Sequence, residues 1–345
     1  MLLIDGTNLH AGGGRALFLY LLDRLAGRNF KAIASNRLEL SPSENIEVRP
    51  WANPLSSQRQ AFLEEAVKRL KPKRVFCFGN IPPRRVLKNC ETITFFQNAH
   101  LLKSIDKFCR YSLKNKSRYF LLRRAVKNFS KNTDSWIFQS DYIRSCFEKE
   151  YGVTTESADV LPFFDEQHLR KTCDQITTSG PRKGFVYVSD GQPHKNHKRL
   201  LDAWEMLPER FNLNPELHLT VPSESETLIQ RIATLKAKGL NVINHGRLPR
   251  ERALELTAQC KFAIFPSLLE TLGLGLVEGC LLGNLVIAPK NPALEEILVP
   301  SAVVDPLDSL SISDVVATAC KTELSASKIL VQDKIDLLLK RLYAE

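Results

Sequence analysis

Short apolar runs and longer amphipathic ones alternate along this chain. LLID (2–5), KAIAS (31–35), RVFCFG (74–79), TITFF (92–96) and SWIFQ (135–139) have the length and residue types of buried strands. Between them RALFLYLLDRLAG (15–27), SSQRQAFLEEAVKRLK (56–71) and SDYIRSCFEKEYG (140–152) space their apolar residues as helices do. The second half repeats the scheme more cleanly. Strands are predicted at 184–189, 216–221, 241–246, 261–267 and 284–289, with helices at 197–207, 227–239, 249–259 and 274–283. Strands that alternate with helices argue for parallel sheets covered on both faces. The polar stretch CDQITTSGPRKG (173–184) separates the two series. The expected fold class is therefore α/β, with two Rossmann-like doubly wound domains facing each other across a cleft. The expected boundaries are 1–170 for the first domain, 171–183 for a linker, 184–325 for the second domain, and 326–345 for a C-terminal helix packing back toward the first domain. Right-handed crossovers put ligands at the carboxyl ends of the strands.

Bulk properties narrow the classes. A chain of 345 residues suits two domains. With 43% hydrophobic and 25% charged residues it has the make-up of a globular protein, not a disordered one. It has no apolar run of about 18 residues, so no spanning helix is expected. MLLIDGTNLH carries no basic leader, which points to a cytoplasmic protein without a secretory signal. The eight cysteines form no C-x-x-C pair, as expected of buried thiols in a reducing compartment.

Charge changes the picture in one place. The net charge is +10, yet between His100 and Asn132 ten Lys and Arg residues face a single acid, Asp106. Such a patch seeks phosphate, on lipid headgroups, nucleic acid or a diphosphate-linked substrate. No nucleic-acid reader motif accompanies it, so nucleic acid is not an expected partner. Its LLRRAVKNF sets apolar residues beside cations, as in helices that lie on anionic lipid. Residues 101–131 are thus expected to dock on the inner membrane face, near a lipid-diphosphate acceptor.

Candidate chemistry centres on KFAIFPSLLETLGLGLVEGCLLGNLVIAP (261–289). A strand ends at Pro266-Ser267, followed by Glu270, a glycine-containing loop and a helix that carries Glu278. Free amides at a helix start suit an anion, and a carboxylate one turn further in can accept two ribose hydroxyls. Spacing alone also fits two surface glutamates beside a packed helix. The segment resembles the donor-site signature of the retaining family-4 glycosyltransferases of GT-B fold, written P-S-x-x-E-x-x-G-x-x-x-x-E-x-x-x-x-G. Pro266, Ser267, Glu270, Gly273, Glu278 and Gly283 fall in place, and the sequel to Asp305-Pro306 is similar too. The likeness spans most of 183–308. Gly275 departs from it, where members more often have Pro. The resemblance implies that Glu278 binds ribose, that Glu270 contacts the transferred sugar, and that amides of Thr271, Leu272, Gly273 and Leu274 hold its hydroxyls and the diphosphate.

Three further features follow. In YVSDGQPHKNHKRLLDAW (187–204), Lys195 stands where a cation would meet the diphosphate. The resembling family adds an Arg five residues earlier; here that residue is Asp190, leaving Arg199 or Arg247 as candidates for a second cation. The wording P-H-K-N-H is similar to enzymes of bacterial surface-polysaccharide and lipopolysaccharide synthesis. His194 and His197 flank Lys195 without a third ligand at matching spacing, so no metal is expected. His100, in QNAHLL after TITFF, resembles the first-domain position that approaches the reacting sugar and could orient a hydroxyl or shuttle a proton. In GTNLHAGGGR (6–15), Gly13 and Gly14 are donor-binding candidates through their backbone, beside a plain tight-turn reading. The expected activity is retaining transfer from a nucleoside-diphosphate sugar to a glycan or lipid-linked glycan, with no cofactor and no divalent metal. The rivals are a sugar-nucleotide-processing enzyme of the same fold and an inactive scaffold protein.

Overall fold

The computed structural model describes residues 1–9, 12–106, 112–153, 158–176 and 181–344. The described residues of 1–165 and 332–344 form one compact unit, and those of 166–331 form another.

In the first unit the chain runs β1 (Leu2–Gly6), α1 (Gly12–Arg24), β2 (Phe30–Ser35), β3 (Ile46–Arg49), α2 (Ser57–Leu70), β4 (Arg74–Cys77), β5 (Glu91–Phe96), α3 (Leu113–Phe129), β6 (Ser135–Phe138), α4 (Asp141–Tyr151) and β7 (Ala158–Val160). Its seven strands are parallel in the order β3-β2-β1-β4-β5-β6-β7. Ile4 lies level with Ala32 on one side and Phe76 on the other. The order reverses direction between β1 and β4, which is where a doubly wound sheet opens a crevice. Beneath that edge the rings of Phe78 and Phe95 pack with centroids 5.1 Å apart, and Phe95 meets Phe163 at 5.3 Å. At the end of β1 the buried Asp5 accepts from Arg59 Nε and Nη2 (2.9 and 2.6 Å) and from the Thr7 amide and hydroxyl (3.1 and 2.6 Å). The helix α12 (Ile335–Tyr343) returns to this unit, with Arg341 bound to Glu91 at 2.7 Å and Tyr20 donating to Asp333 at 2.6 Å.

The second unit runs α5 (Glu166–Gln175), β8 (Lys183–Tyr187), α6 (His197–Phe211), β9 (Leu217–Leu219), α7 (Glu226–Ala237), β10 (Val242–Asn244), α8 (Arg250–Gln259), β11 (Cys260–Ile264), α9 (Leu274–Leu281), β12 (Leu285–Pro289), α10 (Pro292–Glu295), β13 (Leu298–Val299), β14 (Ala302–Val304), α11 (Ser309–Lys321) and β15 (Lys328–Ile329). Six strands are parallel in the order β10-β9-β8-β11-β12-β14, with β13 and β15 pairing separately. Here the reversal falls between β8 and β11. Each unit is thus the Rossmann-like, doubly wound α/β arrangement that the hydrophobic pattern predicts.

The differences are instructive. The short strands β3 and β7 interrupt their apolar residues with charged ones and β14 is only three residues long, so sheet pairing rather than composition makes them strands. The helix expected from residue 15 begins at Gly12, so Gly13 and Gly14 form its first turn and not a loop. Of the expected linker, residues 177–180 lie outside the described residues, as do 107–111 of the basic segment and 10–11 of the first loop.

Candidate active site

The second sheet's reversal point gathers the predicted residues. After β8 the chain makes a single 3-10 turn, Pro193–Lys195, and Asn196 takes a left-handed conformation (φ 61°) before α6 starts. Asn tolerates that conformation better than most side chains. Its side-chain Nδ2 donates to Pro266 O (2.9 Å) and Pro306 O (2.6 Å), and the Leu268 backbone amide donates to His194 O (2.8 Å). Tyr187, at the end of β8, donates its hydroxyl to Lys195 O (2.9 Å) and lies 2.9 Å from the buried Ser267 hydroxyl. These bonds lock the loop after β8 to the loop after β11. As a result Lys195 Nζ meets Glu270 Oε1 at 2.7 Å across 75 residues of sequence.

The electrostatics follow from burial. Desolvation disfavours the Lys195 ammonium, but the Glu270 charge and hydrogen bond together with Tyr187 and Asp190 outweigh it and hold the group above its ordinary range. Behind it His197 is buried and stacked on Tyr187, with centroids 4.8 Å apart. Desolvation, reinforced by the Lys195 charge, lowers the imidazole to about 3, so it is neutral at physiological pH. Burial likewise pushes the Tyr187 phenol up to about 12. Asp190, at the expected position of a second cation, is exposed, and its carboxylate accepts from the Gln192 amide at 3.3 Å. Arg199 donates to Asn196 Oδ1 at 2.9 Å, and the exposed Arg247 lies 3.9 Å from Glu224.

Helix α9 carries the second carboxylate. Gly273, its N-cap, has φ 59°, and a Cβ there would come within 2.6 Å of Leu276 Cδ1. Thr271 and Leu272 lead into this cap, and Leu274 opens the helix, so the first amides have no intrahelical acceptor. A Cβ at Gly275 would be 3.0 Å from the Phe265 ring, and one at Gly279 would be 3.1 Å from Ala263 Cβ. Glycine at both positions therefore lets α9 lie close against β11. Glu278 sits one turn into the helix, 2.6 Å from Arg250 at the start of α8. Burial raises its carboxyl above the usual range, and Arg250 acts against that. Sequence reasoning passed over Arg250. A cation in a helix's first turn opposes the helix dipole, which was a signal that a carboxylate holds it. Among the described residues no three His, Cys, Asp or Glu side chains are grouped to hold a metal ion.

This geometry sits within a segment that matches a known family model. Residues 171–329 match the family Glycosyl transferases group 1. The candidate residues of the second unit named above lie in that matched segment. A comparison with curated proteins gives no match. The chain is similar in structure to the OtsA apo structure, with TM-score 0.72, 12% identity and coverage of 100% of this chain and 99% of that one. It is also similar to sucrose-phosphate synthase from Thermosynechococcus elongatus (TM-score 0.69, 14% identity, 93% and 89% covered). A third likeness is to WaaG, a glycosyltransferase involved in lipopolysaccharide biosynthesis (TM-score 0.68, 15% identity, 93% and 91% covered). Identities this low speak for the shared GT-B fold. The group 1 match supports sugar transfer from a nucleoside-diphosphate sugar as the general activity.

The first unit holds the remaining candidates at its own strand ends. His100 lies in a 3-10 turn after β5, its ring stacked on Tyr119 of α3 at 4.9 Å. Arg123 donates to His100 O (3.0 and 2.7 Å) and to Asp106 (2.6 Å), and His100 Nδ1 is 3.9 Å from that same carboxylate. A Cβ at Gly13 would meet no described atom within 4 Å, whereas one at Gly14 would be 3.5 Å from Gln97 Oε1. In α3 the apolar residues of LLRRAVKNF are divided. Leu122, Ala125 and Val126 face the core, while Leu121 (51% exposed) joins Phe120 (64%) and Leu113 (84%) outside. At 100° per residue these three share one arc with Arg124, flanked by Lys116 and Lys127 on one side and by Lys114 and Arg118 on the other.

Proposed function

We propose that the protein transfers a sugar, with retention at the anomeric carbon, from a nucleoside-diphosphate sugar to a glycan or lipid-linked glycan in cell-surface polysaccharide synthesis. The observation that carries this reading is the Lys195–Glu270 pair at the reversal point of the second sheet, beside the α9 start that bears Glu278. In this assignment the Lys195 ammonium and the first amides of α9 meet the diphosphate and stabilise the charge that develops as it leaves. Amides from Thr271 to Leu274 and the Glu270 carboxylate hold hydroxyls of the sugar, and Glu278 accepts the ribose hydroxyls. No divalent metal and no covalent nucleophile are invoked; the acceptor attacks on the face the diphosphate leaves, within an ion pair. His100 orients a hydroxyl or carries a proton, and the Gly13–Gly14 backbone offers amides to phosphate or acceptor. The exposed arc of α3 suits a protein held on the anionic inner face of the cell membrane. Among the described residues no helix is long and apolar enough to cross a membrane.

A thermal-shift screen of nucleoside diphosphates and their sugars tests the donor site. Saturating ligand should add about 3 kcal/mol of stability, and Glu278→Ala should remove the shift; no response to any nucleotide would overturn the reading. Asp190 supports a second reading, a nucleotide-binding protein without transfer, because an acid replaces the expected cation. Binding of a nucleotide sugar with no nucleoside diphosphate released in the presence of lipid-linked glycans would favour it.

A further inference from the structure

This inference rests on the donor-site reading and adds a residue to it. Glu278 Oε1 is shut off from solvent, yet Arg250 Nη2 lies 2.6 Å away. The contact is a close ion pair between guanidinium and carboxylate. The 14% of the Glu278 side chain that stays exposed lies away from Oε1. Arg250 comes from α8, where its charge opposes the helix dipole, so its place there is set by the carboxylate and not by its own helix.

We propose that Arg250 is a positioning residue of the donor site, holding one Glu278 oxygen in place as a carboxylate so that the other is left to accept the ribose hydroxyls. An ionised carboxylate has about four acceptor positions. One spent on the guanidinium leaves enough for two hydroxyls, whereas a protonated carboxyl would turn a hydrogen toward them. Burial pushes this carboxyl toward protonation; Arg250 opposes that, and His168 on α5 opposes it less strongly. The other charges on the neighbouring elements are exposed or paired elsewhere; Lys171, Asp174 and Glu251 are exposed. Arg170 on α5 bears on Cys280 and pairs with Glu166, Arg252 pairs with Glu255 on α8, and Lys328 on β15 is exposed. Without Arg250 the Glu278 carboxyl should rise further above its ordinary range, and donor binding should weaken as the pH falls.

The test is calorimetric binding of a panel of UDP-, ADP-, GDP- and dTDP-sugars at pH 6, 7 and 8. The diphosphate of a nucleotide sugar does not titrate in that range, so any change belongs to the protein. The wild type and Arg250→Lys should change affinity by less than about threefold, while Arg250→Met should lose about tenfold between pH 8 and pH 6. Added to Glu278→Gln, Arg250→Met should have no further effect beyond about twofold. Should Arg250→Met not fold, Arg250→Gln set against Arg250→Lys makes the same comparison. Affinity in the methionine or glutamine variant as flat with pH as in the wild type, or a full loss on the Glu278→Gln background, overturns the role of Arg250 alone. A wild type that binds no member of the panel overturns the donor-site reading, and this inference with it.

Discussion

At the scale of single residues, two buried groups make opposite demands on the fold. His197 is neutral in the folded protein because desolvation lowers it to about 3, while its ordinary value is 6.5. Below pH 6.5 the unfolded chain takes up a proton that the folded one refuses. Stability therefore falls as the pH drops from about 6.5 toward 3 and is unaffected above that window. Between pH 7.5 and pH 5 the wild type should lose about 2 kcal/mol more than His197→Phe does, as read from urea unfolding at the two pH values. Equal losses would show that His197 is not the group responsible. Asp5 and Arg59 are the converse case, a charged pair buried for structure. Asp5→Asn leaves the guanidinium without its counter-charge and should cost about 3–5 kcal/mol, measurable by the same unfolding experiment. Only part of this scale was legible beforehand. Glu270, Glu278 and Lys195 stood out by pattern, but their partners Arg250 and Tyr187 come from other elements, and no spacing links them.

At the scale of elements, α9 and α3 show what glycine and exposure decide. Gly279 lets α9 approach β11, since even a methyl there would come within 3.1 Å of Ala263 Cβ. Gly279→Val should destabilise the second unit by about 1–3 kcal/mol and weaken nucleotide-sugar binding with it, because Glu270 and Glu278 flank the start of that helix. Thermal unfolding and calorimetry on one preparation would reveal either effect without the other. For α3, the helical period in LLRRAVKNF was readable, but which apolar residues face outward was not. The core claims Leu122, Ala125 and Val126, so the proposed lipid contact falls to Leu113, Phe120 and Leu121. Phe120→Ser with Leu121→Ser should cut flotation on anionic vesicles at least about tenfold. Equal binding to neutral and anionic vesicles would sink the membrane assignment.

At the scale of the whole molecule, the chain leaves its first unit near residue 165 and comes back to it at 332. The return is secured by Ile335, Leu338, Leu339 and Leu342, all buried, and by Arg341 with Glu91 and Asp159. Removing residues 332–345 should therefore destabilise the first unit by on the order of 5 kcal/mol or more, while nucleotide binding by the second persists. Limited proteolysis would show fragments of the first unit alone; parallel loss of nucleotide binding would contradict the division. The sequence by itself determined two α/β series, the central strands of both sheets, and the carboxylates and lysine of the proposed donor site. These depend on local period and on a contiguous motif, and both are written in consecutive residues. The tertiary structure alone decided which short segments join as edge strands, where α1 begins, which face of α3 meets the core, and that Arg250 is the partner of Glu278. Those depend on what lies opposite a residue in space, and in a parallel sheet with crossover helices that neighbour comes from tens of residues away.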